Sequence, residues 1–326
     1  MDVLLTHHIL LAVCIGFVVD CIVGDPEKLP HPVRWMGALI TVLERRLRRE
    51  TDAPRKQQAK GALLVLCVCL VTAALSALAV WAAFRLHVLA GIAVESLMCA
   101  WCLAARNLCD ASMAVFRALR NGDIPAARTA VSMIVGRDTA MLDAAGITRA
   151  AVETVAENAN DGVVAPLFFL LLGGPVCGMV YKAVNTMDSM IAYKNRTYRY
   201  FGTAAARSDD AAGFIPARLC ALAMIAAAFL LHFDGRNAWK IFRRDRYKHE
   251  SPNSAQTESA CAGALRVQLA GDSVYKGIVE HKPLLGDALR PVEAQDIVRA
   301  NVLMYGAVLL CLGSFAAIRF CLTVCL

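Results

Sequence analysis

Apolar and polar stretches alternate along this chain in blocks too long for a soluble fold. Apolar segments fall at residues 3–23, 61–84, 87–105, 163–180, 219–233 and 301–325, and polar ones at 24–60, 106–162, 182–214 and 234–299. A helix of about 20 apolar residues can cross a bilayer. Residues 3–23, interrupted only by His7, His8 and Asp20, read as an uncleaved first helix, because no small-residue cleavage site follows. Segments 61–84 and 87–105 read as a hairpin turning at Arg85, with Glu95 inside its second member. Residues 163–180 carry Pro166, Gly173, Gly174 and Pro175. Such breaks free backbone groups that protein or a wet cavity must satisfy, and membrane proteins build sites at them. The expected fold is therefore all-α: one multi-pass membrane domain over residues 1–326, with broken or re-entrant helices and cytoplasmic helical and loop segments.

The polar blocks have their own patterns. Residues 24–37, G-D-P-E-K-L-P-H-P-V-R-W-M-G, hold three prolines within seven positions and are expected to form a rigid extended turn at the membrane surface. That turn would present Asp25, Glu27, His31, Arg34 and Trp35. The charge run 44–60 reads as a helix facing lipid headgroups. Residues 106–158 read as soluble helices, with a turn and helix start at 121–125 and a short polar motif, V-G-R-D-T, at 135–139. Thr148 is expected to cap a helix that carries Glu153 and Glu157 on one face, and Asn160-Asp161-Gly162 to stop it. From Lys182, the residues Asn185, Thr186, Ser189 and Tyr193 fall at offsets three, four, seven and eleven, one helical face bordered by Asp188. A polar stripe on an otherwise apolar helix suggests a lined site; the alternative is a solvated stripe. Residues 243–258, R-R-D-R-Y-K-H-E-S-P-N-S-A-Q-T-E, read as a loop rich in phosphate-binding groups.

Composition agrees with a membrane protein: 58% of residues are hydrophobic, 19% charged, and the mean hydropathy is +0.51, against about 45–50% and 25% in soluble domains. Most of the 13 cysteines lie in or beside apolar runs. The lone C-x-x-C at 99–102 has no second pair, so small buried hydrophobes account for them better than zinc or redox chemistry. The net charge of +7 follows the polar blocks and reads as membrane topology rather than nucleic-acid binding. Placing every positive block in the cytoplasm requires 163–180 and 219–233 to be re-entrant or buried. The loops carry the carboxylates Asp25, Glu157, Asp161, Asp188, Asp209, Asp210 and Glu258, with Lys182, Lys194, Arg207, Arg218, Lys248 and His249 beside them. Hard oxygen ligands suit Mg²⁺, which usually accompanies substrate phosphates, and Arg and Lys clamp phosphate oxygens. Phosphoryl-linked chemistry at a membrane face follows, with an ion-coupled carrier as the competing class.

Seven ordered motifs between Gly24 and Gly286 resemble the CobD/CbiB family, the adenosylcobinamide-phosphate synthases of cobalamin biosynthesis. They are G-D-P with H-P-V-R-W-M-G, E-N-x-x-D-G-V-V-A-P-L-F, Y-K-A-V-N-T-M-D-S-M, Y-K-N-x-x-Y-x-x-F-G, A-R-x-D-D, I-P-A-R-L, and S-P-N-S with E-S-A-x-A-G-A-L. AmpE-like membrane proteins are a weaker resemblance and are not expected to carry all seven. The resemblance implies ATP-dependent amide formation between adenosylcobyric acid and aminopropanol or its phosphate, with ATP and Mg²⁺ required. It implies a multi-pass protein of the inner membrane with cytoplasmic active loops, possible contact with other cobalamin-assembly enzymes, and no nucleic-acid partner. A corrinoid carrier or sensor without ligase activity is the alternative. On the matching motifs, Glu157, Asp161, Lys182 and Asp188 become catalytic candidates, joined by His249 just ahead of S-P-N-S, with Asp161, Asp188, Asp209 and Asp210 as Mg²⁺ ligands. Asp25, His31, Arg34, Trp35, Asn158, Asn185, Lys194, Asn195, Arg207, Arg218, Ser251, Asn253 and Glu258 become substrate- or phosphate-binding candidates. A carboxylate or His249 would take the proton of the amine. Three positions depart from the family pattern: Ala192 and Ala270 where glycine is usual, and Gly213 where Asn is common.

Overall fold

The computed structural model describes residues 7–25, 31–193, 195–275 and 277–325. It is helical almost throughout, with five helical stretches long and apolar enough to cross a membrane by length and composition: Pro54–Leu86, Val88–Arg120, Ala144–Ile191, Thr203–Leu230 and Gln295–Leu322. The protein is thus an all-α, multi-pass membrane protein. Its residues cluster into two compact units. The first comprises Met1–Ala104, Ala165–Gly213 and Phe315–Leu326, the second Ala105–Val164 and Phe214–Ser314.

In the first unit, α1 (His8–Val23) packs along α4 (Val88–Cys102). Gly16 allows that approach: a Cβ there would lie 2.5 Å from the Cβ of Cys99, the small-residue contact typical of membrane helices. Glu95, 2% exposed, meets His8 Nδ1 at 2.6 Å. An intramembrane acid is thereby paired rather than left bare. α2 (Pro32–Leu47) starts with His31 at its N-cap and Pro32 at N1, where a missing N–H costs nothing. α3 (Pro54–Leu86) runs 33 residues, about 50 Å at 1.5 Å per residue. α8 (Ala165–Ile191) breaks at Gly173 (φ −133°, ψ 19°) and Gly174 (φ 72°, ψ −170°), immediately before Pro175, as its sequence predicts.

The second unit contains α5 (Ala105–Arg120) and α6 (Ile124–Ser132), the latter capped by Asp123 accepting from Ala126 N at 2.9 Å. Then come α7 (Ala144–Asn158), a π-helical turn at Ala159–Val164, α10 (Gly235–Asp245) and α11 (Ser254–Leu265). Two small antiparallel ribbons follow: β1 (Leu269–Ala270) pairs with β4 (Leu284–Leu285), and β2 (Ser273–Tyr275) with β3 (Ile278–Glu280). Two further helices, α9 (Thr203–Leu230) and α12 (Gln295–Cys325), complete the chain.

Several local expectations change. The segment 24–37 is not extended throughout, since residues from Pro32 onward are the first turns of α2. The charge run 44–60 is split by a non-helical stretch at 48–53, and Pro54 starts a new helix. Thr148 does not cap α7. Asp143 does, accepting from Gly146 N at 2.7 Å, while Thr148 Oγ1 bonds back to Ala144 O. Asn160-Asp161-Gly162 does not stop that helix either. The chain passes through it as a wide π turn, with Asn160 and Gly162 buried, so packing overrides the glycine signal. Tyr193 lies past the end of α8, shortening the polar stripe to Lys182–Ser189. Residues 243–258 are loop only between Asp245 and Ser254.

Candidate active site

The second unit holds a partly open polar cavity of about 230 Å³. α7 supplies Glu153, Glu157 and Asn158, the turn before α11 supplies His249, and α11 supplies Glu258. Arg137 comes from the V-G-R-D-T motif, and Tyr275 and Lys282 come from the ribbon region. The helical four-residue spacing places Glu153 and Glu157 on the same wall.

The three glutamates differ in their partners. Glu153, 5% exposed, is ion-paired with Arg137 and also accepts the Ala270 N–H at 2.8 Å. Glu157 accepts from Ser254 Oγ at 2.9 Å. Glu258 is 6% exposed and makes no hydrogen bond among the described residues. Burial pushes its carboxyl well above the usual range, and the charges of Glu157 and Glu153 push the same way. Burial lowers the His249 imidazole. Its Nδ1 accepts from Ser251 N at 3.0 Å, which leaves Nε2–H as the ring's remaining hydrogen-bonding group. Lys282 Nζ donates to Tyr275 OH at 2.8 Å.

Other candidates in this unit make local hydrogen bonds, and of these Asn158 lines the cavity. Ser251 Oγ accepts from Asn253 N at 3.3 Å, and Asn253 is the N-cap position of α11. Asn158 donates to Thr154 O at 3.0 Å. Asp161 sits in the π turn and accepts from Asn160 Nδ2 at 2.6 Å. Arg218 donates to Phe214 O at 2.6 Å and lies over the Phe214 ring.

The first unit gathers a second set. Asn185 Nδ2 approaches Asp209 Oδ1 at 3.3 Å. Lys182 and Asp188 lie one turn to either side of Asn185 on α8, and Asp210 follows Asp209. Asp25 lies 3.2 Å from His31 Nε2. Arg34, Trp35 and Arg207 are exposed. Trp35, with Met36, Met98, Trp101 and Met179, lines an apolar groove of about 560 Å³. Asn195 Oδ1 caps a turn by accepting from Thr197 N and Tyr198 N, each at 3.0 Å. Lys194 lies outside the described residues.

The sequence profile described as CobD/Cbib protein matches residues 13–304. The chain belongs to the CobD/CbiB family. It is 50% identical to the Geobacter metallireducens "Cobalamin biosynthesis protein CobD" over 290 residues, covering 89% of this chain and 90% of that protein. It is 45% identical to the Klebsiella pneumoniae protein of the same name, covering 95% and 98%. It is 46% identical to the Salmonella typhi "Cobalamin biosynthesis protein CbiB", covering 95% and 97%. No solved structure matches the chain.

Sequence reading of this CobD/CbiB protein missed Arg137, Glu153, Tyr275 and Lys282 as cavity residues. The four-residue spacing of the two glutamates and the polar V-G-R-D-T motif were usable signals for the first two. Tyr275 and Lys282 carried none. The departure at Ala270 falls on a wall of the site: its φ of +60° is a left-handed conformation that favours glycine, and its N–H binds Glu153. At Ala192 no positive φ arises, so alanine fits there without strain.

Proposed function

We propose that this CobD/CbiB-family protein is an adenosylcobinamide-phosphate synthase, an ATP-dependent ligase that joins adenosylcobyric acid to aminopropanol or aminopropanol phosphate through an amide. The observation that carries the reading is the polar cavity with the buried Glu258 on its wall, a side chain that makes no hydrogen bond among the described residues. Burying an acid without a partner is costly, and such perturbed groups in clefts cluster at functional sites. Family membership supplies the pathway, and the chemistry supplies the need for ATP. A carboxylate resists attack by an amine, so the propionate must first become an activated acyl species.

The residues divide the work by their surroundings. Glu153, held by Arg137 and the Ala270 N–H, fixes the cavity wall. The His249 Nε2–H and Lys282 offer donors to an anionic oxygen. Glu157 and Glu258 offer carboxylates to a cation or a leaving proton. At about 230 Å³ the cavity is below the roughly 300–1,000 Å³ of pockets that take drug-sized ligands. It therefore suits the small amino substrate, not a whole nucleotide or a corrinoid. Trp35 and its apolar groove in the first unit suit part of the large amphipathic corrinoid, with Asp25, His31 and Arg34 close in sequence for its polar groups.

Among the described residues, no group of three or more His, Cys, Asp or Glu forms a ready-made metal cage. Mg²⁺ arriving with phosphate needs only one or two carboxylates, and the hard oxygens of Asp188, Asp209 and Asp210, with Asn185 against Asp209, fit that demand. Asp161 offers the same chemistry in the second unit. When bound, the ion would neutralise charge on a transferring phosphoryl group, with Lys182, Lys194 and Arg207 as further cations. We place the protein in the inner membrane with its polar segments in the cytoplasm, where ATP and other cobalamin-assembly enzymes are found.

The test is a reaction of purified protein with ATP, Mg²⁺, adenosylcobyric acid and either amino alcohol, read by mass spectrometry. The expected result is an amide, with ATP consumed only when both other substrates are present. Corrinoid movement across sealed vesicles without ATP use or a new covalent product would instead support a carrier.

A further inference from the structure

We propose that the cavity of the second unit is the amine subsite. Glu157 and Glu258 hold the primary ammonium of the small amino substrate, and Glu258 accepts the proton that must leave before the nitrogen can attack. The proposal rests on the amide-ligase reading and assigns one of its substrates to named side chains.

Charge balance points to a cation. The Glu153 carboxylate is already matched by Arg137. Glu157 has a neutral partner, the Ser254 hydroxyl. Glu258 is nine-tenths buried, lines the cavity and has no hydrogen-bond partner among the described residues. Against these two carboxylates the cavity offers one further fixed cation, Lys282. Its ammonium is turned to the Tyr275 hydroxyl at 2.8 Å. With both acids ionised, the cavity with its one lysine is one positive charge short, so an arriving cation favours the ionised form of Glu258 against the burial that favours its protonated form. A primary ammonium supplies that charge and three N–H donors. The His249 Nε2–H and Lys282 then remain for the oxygen end of the same molecule, whether hydroxyl or phosphate. The cavity of about 230 Å³ limits the occupant to a small molecule.

The chemical step balances. At neutral pH the amine enters as R–NH₃⁺ and gives one proton to the Glu258 carboxylate, becoming R–NH₂. The nitrogen lone pair forms a bond to the activated acyl carbon. The C–O bond to phosphate then breaks, and its electron pair leaves with the phosphate. The second N–H proton of the adduct goes to the departing phosphate. Glu258 returns its own proton to water. Burial raises the proton affinity of Glu258, and Glu157 and Glu153 raise it further, opposed by Lys282 and Arg137. A base with such a raised affinity is better matched to an alkylammonium than an ordinary carboxylate.

The test is calorimetric binding to the full chain in lipid nanodiscs, without ATP or corrinoid. The probe is 1-amino-2-propanol or its O-phosphate, whichever binds wild type more tightly. It is paired with the counterpart lacking the amine, 2-propanol or isopropyl phosphate. Glu157→Gln and Glu258→Gln are each expected to weaken the amino probe about tenfold or more and to leave the deaminated probe unchanged. Retained binding of the deaminated probe also reports an intact fold. Should Glu258→Gln not fold, Glu157→Gln and Glu258→Asp give the same readout. Equal losses for both probes, an unchanged preference for the amine, or displacement of the amine by millimolar Mg²⁺ would overturn the proposal. If the amine binds through these acids but no amide ever forms, the ligase reading fails and the subsite stands. If amide forms in wild type while the Gln variants keep their amine preference, the subsite fails and the ligase reading stands.

Discussion

Helices α3 and α11 depart from soluble-protein practice in opposite directions. α3 exposes Leu66, Leu70, Leu75, Leu78 and Trp81, each more than half accessible. α11 buries all twelve of its residues, including Ser254, Gln256, Thr257, Glu258 and Ser259. A soluble fold would do the reverse. The solvent explains α3: with lipid outside, exposed leucines lose nothing. Lipid does not explain α11, because its polar side chains face protein and a polar cavity. Their burial requires partners. Ser254 finds Glu157, and Gln256 Nε2 donates to Arg246 O and Pro252 O at 3.1 and 3.0 Å. Gln256 Oε1 finds none, and Glu258, the one charged side chain of the helix, lines the polar cavity and marks the candidate site. The exposed leucines of α3 thus report the membrane, and the buried acid of α11 reports the candidate site.

The largest effect should come from breaking a satisfied buried acid. Glu153→Ala strands Arg137 and the Ala270 N–H, and removing one partner of a buried pair costs about 3–5 kcal/mol. A fall of that size in denaturant stability is expected, and a change under 1 kcal/mol would show that the pair does not hold the wall. On the lipid side, Leu70→Lys should hinder membrane insertion by about 2.5–3.5 kcal/mol if it lies near the bilayer centre. Leu70→Phe should insert normally. An insertion assay in which both variants behave alike would mean that this face of α3 is covered by protein.

A third prediction concerns acid. Asp245 is fully buried and accepts from Arg244, Lys248 and the Gly286 N–H. Burial alone would raise its pKa, but these bonds outweigh it and hold the value down, from 3.8 to about 2. A depressed carboxyl stabilises the fold above its unfolded value, and that stability is lost as pH falls through the folded one. Wild type should therefore lose thermal stability between pH 4 and pH 2 more steeply than Asp245→Asn. Parallel curves would remove Asp245 from the anchor of the ribbon region. The smallest effect is expected at Ala270. A left-handed backbone costs a residue with a Cβ roughly 1–2 kcal/mol, and glycine's added unfolded-state freedom offsets part of the relief. Ala270→Gly should raise stability by about 0.5–1 kcal/mol in chemical denaturation. A loss would mean that the methyl packs usefully.

Much of this fold was legible because membrane helices are written in length and hydropathy. The break at Gly173-Gly174-Pro175 and the Asp123 cap are local signals, and both stand where the sequence puts them. The site was less legible. The face shared by Glu153 and Glu157 follows from helical spacing, but the division of labour between them depends on Arg137 and Ser254, which are distant in sequence. The S-P-N-S stretch looks like exposed loop because its residues are polar. Its burial is decided by α10 packing on α11, which no local pattern encodes. Gly162 looked like a helix stop for the same reason: glycine permits the left-handed turn but does not require it, and the buried surroundings kept the chain helical.

Glu258→Gln tests the central claim most directly. If the carboxyl is buried for chemistry rather than for the fold, replacing it with a neutral isostere removes a destabilising group and the reaction together. Measured on one preparation at neutral pH, the variant should melt at or above the wild-type temperature while amide formation falls by roughly 10²–10⁴-fold. A lower melting temperature with turnover near that of wild type would contradict the account, making Glu258 a structural residue and moving the active site elsewhere.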